Sequence, residues 1–269
     1  MAYKFCDCSF PSSIEIARCK GHIPDLLKCR CGEYVGEYPW QWDDSENLDV
    51  MVLGKDIVFH HSRSRGTAIV KGKQSLQPGM IHYWEMLAVS PLFGTDVMFG
   101  IGTQNLDLGQ YDFRYVSGLG LDAHSWGLSY FGRLQHGGKR VSYCHSFSQG
   151  TLIGVYLDRS RGHIEFYLNR TSLGVAFTNV PVDPDVKIYP MVCSTAGQSV
   201  IRLINCTSVL DTMQLRSFQS LSNKHPAKLS ALRQIPGLRQ IFKSYWFLDF
   251  PFFYSKPETF YSLSQIVSD

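Results

Sequence analysis

A β-sandwich with a small helical tail is the fold class predicted by this 269-residue sequence. Three observations carry that reading. Between residues 150 and 192, apolar and polar residues alternate with a period of two. Along most of the chain, short runs of Gly, Pro, Asn, Asp and Ser separate such alternating stretches at even intervals. After residue 208 the apolar period changes to that of a helix.

The stretch 150–192 organises the rest. Within 151–157, Ile153, Val155 and Leu157 share one face, and Leu152 and Tyr156 share the other. Within 163–169, Ile164, Phe166 and Leu168 form the inward set, while His163 and Glu165 face out. Successive side chains of a strand project to opposite sides, so a period of two marks one buried face. Turn residues at 158–162 and 169–172 connect these runs. A third strand is expected at 173–177 and a fourth at 187–192, past the loop holding Pro181 and Pro184, which makes an antiparallel meander.

Upstream, Cys31-Gly32-Glu33 and Trp40-Gln41-Trp42-Asp43-Asp44 precede an alternating stretch, 49–60, with Val50, Val52, Ile57 and Phe59 in strand positions. A polar, basic loop follows, His61-Ser62-Arg63-Ser64-Arg65-Gly66, and then strands at 67–71, 80–89, 97–103 and from 125 onward. This spacing favours a sandwich over βαβ units. Trp84, Trp126 and Phe166 are expected in the core, since large aromatics dominate such interiors. Gly100, Gly102 and Gly127 mark bends or close backbone approaches.

From 208, Leu210, Met213, Phe218 and Leu221 form a helical stripe. After His225-Pro226, Leu229 and Leu232 begin a second segment, which Pro236-Gly237 ends. Leu238, Ile241, Phe242, Tyr245 and Leu248 make a third. Between Gln214 and Lys243 there are six Lys/Arg and no acid. Helices this short have little core of their own, so they must lie against the sandwich or another protein.

Composition narrows the class further. A hydrophobic fraction of 44% and 13% aromatics support a substantial core, and a net charge of +3 gives no argument for nucleic acid. The first residues lack a signal-peptide pattern. No uninterrupted apolar run reaches the roughly 18–20 residues of a membrane helix. Five of the eight cysteines, Cys6, Cys8, Cys19, Cys29 and Cys31, fall in the first 31 residues. Their C-x-C spacing is not that of zinc knuckles. Without a secretory signal the expected setting is reducing, cytoplasmic and/or nuclear, with residues 1–30 as a poorly ordered arm. The sequons at Asn169 and Asn205 are then chance matches.

No catalytic constellation is present: there is no G-x-S-x-G, P-loop, H-E-x-x-H or Cys–His pattern. Gly118-Leu119-Gly120 is a fragment of a dinucleotide fingerprint that opens no helix. His60 and His61, adjacent in a strand, point to opposite faces and do not converge on one ion. The reading is a non-enzymatic protein with no cofactor, no metal, and no nucleic-acid or membrane partner. Its function would lie in loops gathered at one end of rigid sheets.

The ordered set Tyr83-Trp84-Glu85, GIGT at 100–103, SWGLSY at 125–130, GVYLD, G-x-IEFYLN, LGVAF and IYPMV resembles the SPRY domain. CGE…WQWDD, FHH…GTA, SPLFGTD, AHSWGLSY and YPMVCSTA, with the helical tail behind them, resemble the SPRY domain-containing SOCS box proteins. That resemblance implies a SPRY sandwich over 31–207, a SOCS-box-like helical segment over 208–250 and a tail over 251–269. It implies a substrate-recognition subunit of a cullin–RING ubiquitin ligase that binds a short Asn-containing motif. By position, the motif would meet His61, Ser62, Arg63, Ser64, Arg65, Gly66, Tyr115, Thr195, Ala196 and Gly197, with Tyr115 supplying a ring wall and a hydroxyl. Elongin B/C would meet Ser217, Phe218, Leu221 and Ser222, and a cullin of the cullin-5 type Ile235, Pro236 and Leu238.

The chain departs from the family pattern at named places. Ser222 stands where the elongin box has Cys, and Pro226 where a small apolar residue is usual. Of the cullin box, 232–238 keeps only the last Pro. The first loop reads Ser-Arg-Ser-Arg in place of Pro-x-Ala-Gln, and Ala196 replaces a Trp. These departures leave a second reading open: a SPRY interaction module whose tail packs on the sandwich and recruits no ligase.

Overall fold

Two antiparallel sheets pack face to face, and each carries a second apolar face on its outer side. The computed structural model describes residues 33–34, 36–44 and 49–248. The five N-terminal cysteines, the arm 1–30 and the tail 251–269 lie outside these residues.

The strands are β1 (Val50–Leu53), β2 (Asp56–Phe59), β3 (Ala68–Lys71), β4 (Met80–Ala88), β5 (Val97–Thr103), β6 (Ser125–Ser129) and β7 (Arg133–His136). They continue with β8 (Lys139–Ser142), β9 (Leu152–Asp158), β10 (His163–Leu168), β11 (Thr171–Phe177), β12 (Ile188–Ser194) and β13 (Ser199–Leu210). One sheet has the order β1-β2-β13-β4-β9-β10-β11, the other β3-β12-β5-β6-β7-β8. Between them lies the main core, which includes Trp40, Trp84, Phe99, Trp126, Ile153, Val155, Leu157, Ile164 and Phe166. The inward sets expected for β9 and β10 and the three aromatic fillers are therefore placed as the alternation predicts.

The expected four-strand meander is corrected at its last member. β9, β10 and β11 are consecutive neighbours, but β12 crosses to the other sheet and pairs with β3 and β5. The intervening loop is long enough to change layers. The buried Arg159 guanidinium pins it by donating to the carbonyls of Pro181 and Val186. Three strands were not anticipated. β7 and β8 form a hairpin around Gly137 and Gly138, both at positive φ, the turn glycine most readily adopts. β13 runs twelve residues and pairs with β4 as far as Leu210, so the sheet extends past residue 207.

Glycine earns its place at one crossing. Gly100 and Gly127 are register partners on β5 and β6. A Cβ on Gly100 would lie 1.9 Å from the Trp126 carbonyl, and one on Gly127 would lie 2.7 Å from Leu119. These are close approaches rather than bends. Gly100 lets β5 and β6 approach, and Gly127 leaves room for Leu119 of their connection on the outer face, where Leu106, Leu108, Tyr111 and Leu119 pack on Ile69, Met98, Met191 and Cys193.

The outer face of the seven-stranded sheet takes the tail. Helix α1 (Met213–Lys224) starts at Thr212, whose hydroxyl accepts from the Leu215 N–H. The helix ends where the His225 N–H donates to the Leu221 carbonyl. α2 (Pro226–Leu232) follows with Pro at its first position, then a 3₁₀ turn (Pro236–Leu238), α3 (Arg239–Ser244) and a second 3₁₀ turn (Trp246–Leu248). The cap at Thr212 sets the helical phase, so the buried face of α1 is Leu215, Phe218 and Ser222. Leu210, expected on this stripe, ends β13, and Met213 is exposed. Phe247 stacks on Tyr83 at 5.4 Å, and Leu215, Phe218, Leu229, Phe242, Tyr245 and Leu248 share its cluster with Ile81, Tyr156 and Tyr167.

Ion pairs border this contact. Arg216 donates to Asp158 and Asp211, each at 2.6 Å. Arg170 makes a two-pronged contact with the buried Glu85 at 2.8 and 2.9 Å and lies 5.7 Å from the Trp246 ring centre. Asn205, one of the two sequons, is buried and donates to the same carboxylate at 2.7 Å.

Phe247→Ala is expected to destabilise the whole described domain by about 3 kcal/mol in a single cooperative transition. Differential scanning calorimetry decides this; a separate low-temperature transition for the tail would refute it. A second expectation concerns pH. Burial pushes the His82 imidazole down to about 4 against the pull of its bond to the Gln77 carbonyl. Between about 6.5 and 4 the unfolded chain binds a proton that the folded one does not, so stability falls as pH drops through that window, by on the order of 2–3 kcal/mol. His82→Gln should flatten this loss in urea titrations at pH 7 and pH 4.5.

Candidate functional site

Three loops, the first and last of them 131 residues apart at Ser64 and Thr195, meet at one edge of the six-stranded sheet. The first, residues 61–66, leaves β2 at His60, which is buried at φ 46° with its Nε2 3.1 Å from the Ser194 carbonyl. The second is the middle of the covering connection, around Tyr115. The third, Thr195, Ala196 and Gly197, leaves β12.

Ser64 touches the other two. Its carbonyl accepts from the Tyr115 hydroxyl at 2.8 Å, and its hydroxyl donates to the Thr195 carbonyl at 2.7 Å. Gly66 passes under the second loop so closely that a Cβ there would lie 2.5 Å from the Phe113 nitrogen. Next to it, the Thr67 hydroxyl donates to the Arg114 and Val116 carbonyls (2.7 and 2.9 Å) and accepts from the Val116 N–H at 2.9 Å. Thr195 in turn is fixed to Asp96, its hydroxyl donating to the Asp96 carbonyl at 3.1 Å and accepting from the Asp96 N–H at 3.0 Å.

A cavity of about 230 Å³ opens beside Tyr115, lined among others by Asp96, Ser117, Ser129, Phe131, Arg133 and Arg140. Asp96 is buried and accepts from the Ser129 hydroxyl at 2.6 Å. Burial pushes its carboxyl above the usual range, opposed by hydrogen bonds from Ser117 and Ser129. Two of its lining residues are exposed aromatics, Tyr115 at 52% and Phe131 at 45%, and Phe113 of the second loop, 75% exposed, stands beside Gly66. Arg133 lies 6.0 Å from the Phe131 ring centre, and Arg65 6.0 Å from that of Phe113. Rigid aromatic faces beside a small polar cavity suit one anchoring side chain and the segment that carries it.

The residues expected for peptide binding thus divide by role. His61, Ser62 and Arg63 are exposed, and Ser64 is half-buried. Arg65 is tied to Asp49 at 2.9 Å. The Thr195 and Ala196 side chains are buried, Ala196 in the main core, and Gly197 is half-buried. Tyr115 presents its ring outward while its hydroxyl donates to the Ser64 carbonyl. Asp96, Ser129, Phe131, Arg133 and Arg140 were missed. Asp96 stands in the SPLFGTD segment, but nothing in its spacing shows that it turns toward Tyr115.

In the tail, Ser217 is exposed, Leu221 half-buried and Phe218 buried against Phe242 and Tyr245 at 5.1 and 5.6 Å. The Ser222 hydroxyl, buried, donates to the Leu248 carbonyl at 2.5 Å. Ile235 and Pro236 are exposed and Leu238 is half-buried. These residues lie on the opposite outer face from the cavity, across both sheets. Among the described residues no group of three His, Cys, Asp or Glu side chains could hold a metal ion, and no helix is long and apolar enough to cross a membrane.

The SPRY domain model matches residues 81–207. SPRY domain-containing SOCS box protein 3 of Xenopus laevis is 37% identical over 245 residues, 88% of this chain and 66% of that protein. Its Xenopus tropicalis counterpart is 39% identical over 222 residues, 80% of this chain and 61% of that one. The chain therefore spans a little under two thirds of the length of these relatives. Among solved structures, the SPRY domain of human HERC1 aligns at a TM-score of 0.48 and 17% identity, covering 61% of this chain and 97% of that one. A two-sheet sandwich with this motif order, a domain match across its centre and this identity over most of its length decide the affiliation: the chain belongs to the SPRY domain-containing SOCS box protein family.

Proposed function

We propose that the protein is a substrate receptor of a cullin–RING ubiquitin ligase, which holds a short Asn-containing segment at the Tyr115 cavity and docks elongin B/C through its helical tail. The observation that carries this reading is the convergence of the 61–66, Tyr115 and 195–197 loops beside a cavity lined by the exposed rings of Tyr115 and Phe131 and by Asp96, Arg133 and Arg140. An Asn side chain offers two donors and an acceptor oxygen, and the cavity wall offers the Asp96 carboxylate with Arg133 and Arg140. The names of its relatives support the SOCS-box half. The protein itself would break and form no bonds; it raises the local concentration of substrate at the ligase.

A second reading has its own observation. Phe218 and Ser222, two of the four residues expected to meet elongin, are buried within the tail's own cluster. In that reading the tail serves as a cover for the sheet and recruits no ligase.

Retention of elongin B/C by the immobilised protein separates the two. The receptor reading expects retention, and its loss in Leu221→Asp, because a carboxylate pressed into an interface costs several kcal/mol. Failure of the intact protein to retain elongin B/C beside a working SOCS-box protein would leave the second reading. For the peptide site, Tyr115→Ala should weaken the best peptide of an Asn-centred array by about 2 kcal/mol, as truncation of an aromatic anchor does. Its melting temperature should not change, since the ring is half exposed. Equal affinity of wild type and variant would remove Tyr115 from the site.

A further inference from the structure

We infer that Ser64 and Thr195 form a strut that sets the width of the Tyr115–Asp96 cavity, with the Ser64 hydroxyl as its one replaceable link. As a statement about peptide affinity this rests on the receptor reading; as a statement about the loops it does not. Neither residue lines the cavity, yet together they join two residues that do. Tyr115 is bonded to the Ser64 carbonyl, the Ser64 hydroxyl to the Thr195 carbonyl, and Thr195 to Asp96, which also holds Ser129.

The links differ in what they demand of the sequence. Thr195 and Asp96 are joined three times, by the hydroxyl in both directions and by the Thr195 N–H to the Asp96 carbonyl at 3.0 Å. Tyr115 bonds a backbone carbonyl, which any residue at position 64 supplies. The middle link alone needs the Ser64 hydroxyl. Its other acceptor, the Gly66 carbonyl at 3.3 Å, lies within the same loop and cannot replace a bridge between loops. Removing that hydroxyl breaks the side-chain bond between the middle of the first loop and the third, leaving the bonds of His60 to the Gln198 N–H (3.0 Å) and the Ser194 carbonyl at the loop's start. Gly66 stays clamped under Phe113 and His60 stays bonded to Ser194, so the fold has reason to survive. Ser64 is thus a positioning residue, acting on a ligand through the spacing of Tyr115 and Asp96.

Hydrogen exchange by mass spectrometry on the full chain tests this without a ligand, in wild type, Ser64→Ala and Ser64→Thr. Ser64→Ala should speed exchange by about tenfold in both 111–117 and 194–198, the scale of one lost part-buried hydrogen bond, with β9, β10 and the melting temperature unchanged. Ser64→Thr, which keeps the hydroxyl, should stay within about twofold of wild type on the same scale. In parallel, the best peptide from the Asn-centred array should bind Ser64→Ala about tenfold more weakly and Ser64→Thr as wild type does. Wild-type exchange in Ser64→Ala would overturn the strut, as would equal loosening in Ser64→Thr or loosening that spreads to β9 and β10. If wild type binds no array peptide, the receptor reading falls, and the exchange data still decide the strut.

Discussion

The apolar outer face of each sheet is the constraint on which the rest of this structure depends. A two-sheet sandwich ordinarily buries its inner faces and wets the outer ones. Here Ile81, Tyr83, Tyr156 and Tyr167 line the outside of the seven-stranded sheet, and Ile69, Met98, Met191 and Cys193 the outside of the six-stranded one. Both faces need a cover, because bare apolar surface of this extent costs about 25 cal/mol per Å² left in water. The chain supplies two covers of different kinds. The helical tail lies on one face, and the connection between β5 and β6 lies on the other.

Those covers carry the functional features. The β5–β6 connection carries Tyr115 midway, so the cover that packs on Met98 also brings that ring to the cavity. The tail presents Ser217, Ile235 and Pro236 outward because Phe218, Phe242, Tyr245 and Phe247 are committed inward. Candidate substrate site and tail thereby stand on opposite sides of a rigid core. A receptor built this way would keep its two partners apart and fix their geometry through packing rather than through a hinge.

Polar groups at the cover margins decide orientation. Glu85 is wholly buried and is answered by Arg170, Asn205 and the Tyr83 hydroxyl. A buried carboxylate without such partners would be costly, and a paired one adds specificity of placement more than net stability. Arg170 reaches it from a left-handed backbone position and passes the Trp246 ring on the way. At the other margin Arg216 of α1 is clamped between Asp158 of the sheet and Asp211 of the connection.

Local pattern alone determined which segments are strands with one buried face, which large aromatics fill the core, and that the chain turns helical near its end. These follow from the period of side-chain projection, which is written into β9, β10 and the tail without reference to anything else. The motif order likewise pointed to the SPRY sandwich, and it brought Tyr115, residues 61–66 and residues 195–197 together as candidates. Tertiary structure decided what period cannot carry. β12 leaves the meander because its partners β3 and β5 are distant in sequence. The face that α1 buries is set by the Thr212 cap, which moved Leu210 and Met213 out of the stripe. Asp96 joined the site, and the Ser64 hydroxyl became a bridge, through hydrogen bonds spanning 99 and 131 residues. Contacts of that range exist only once both sheets are packed, so no local reading of the chain contains them.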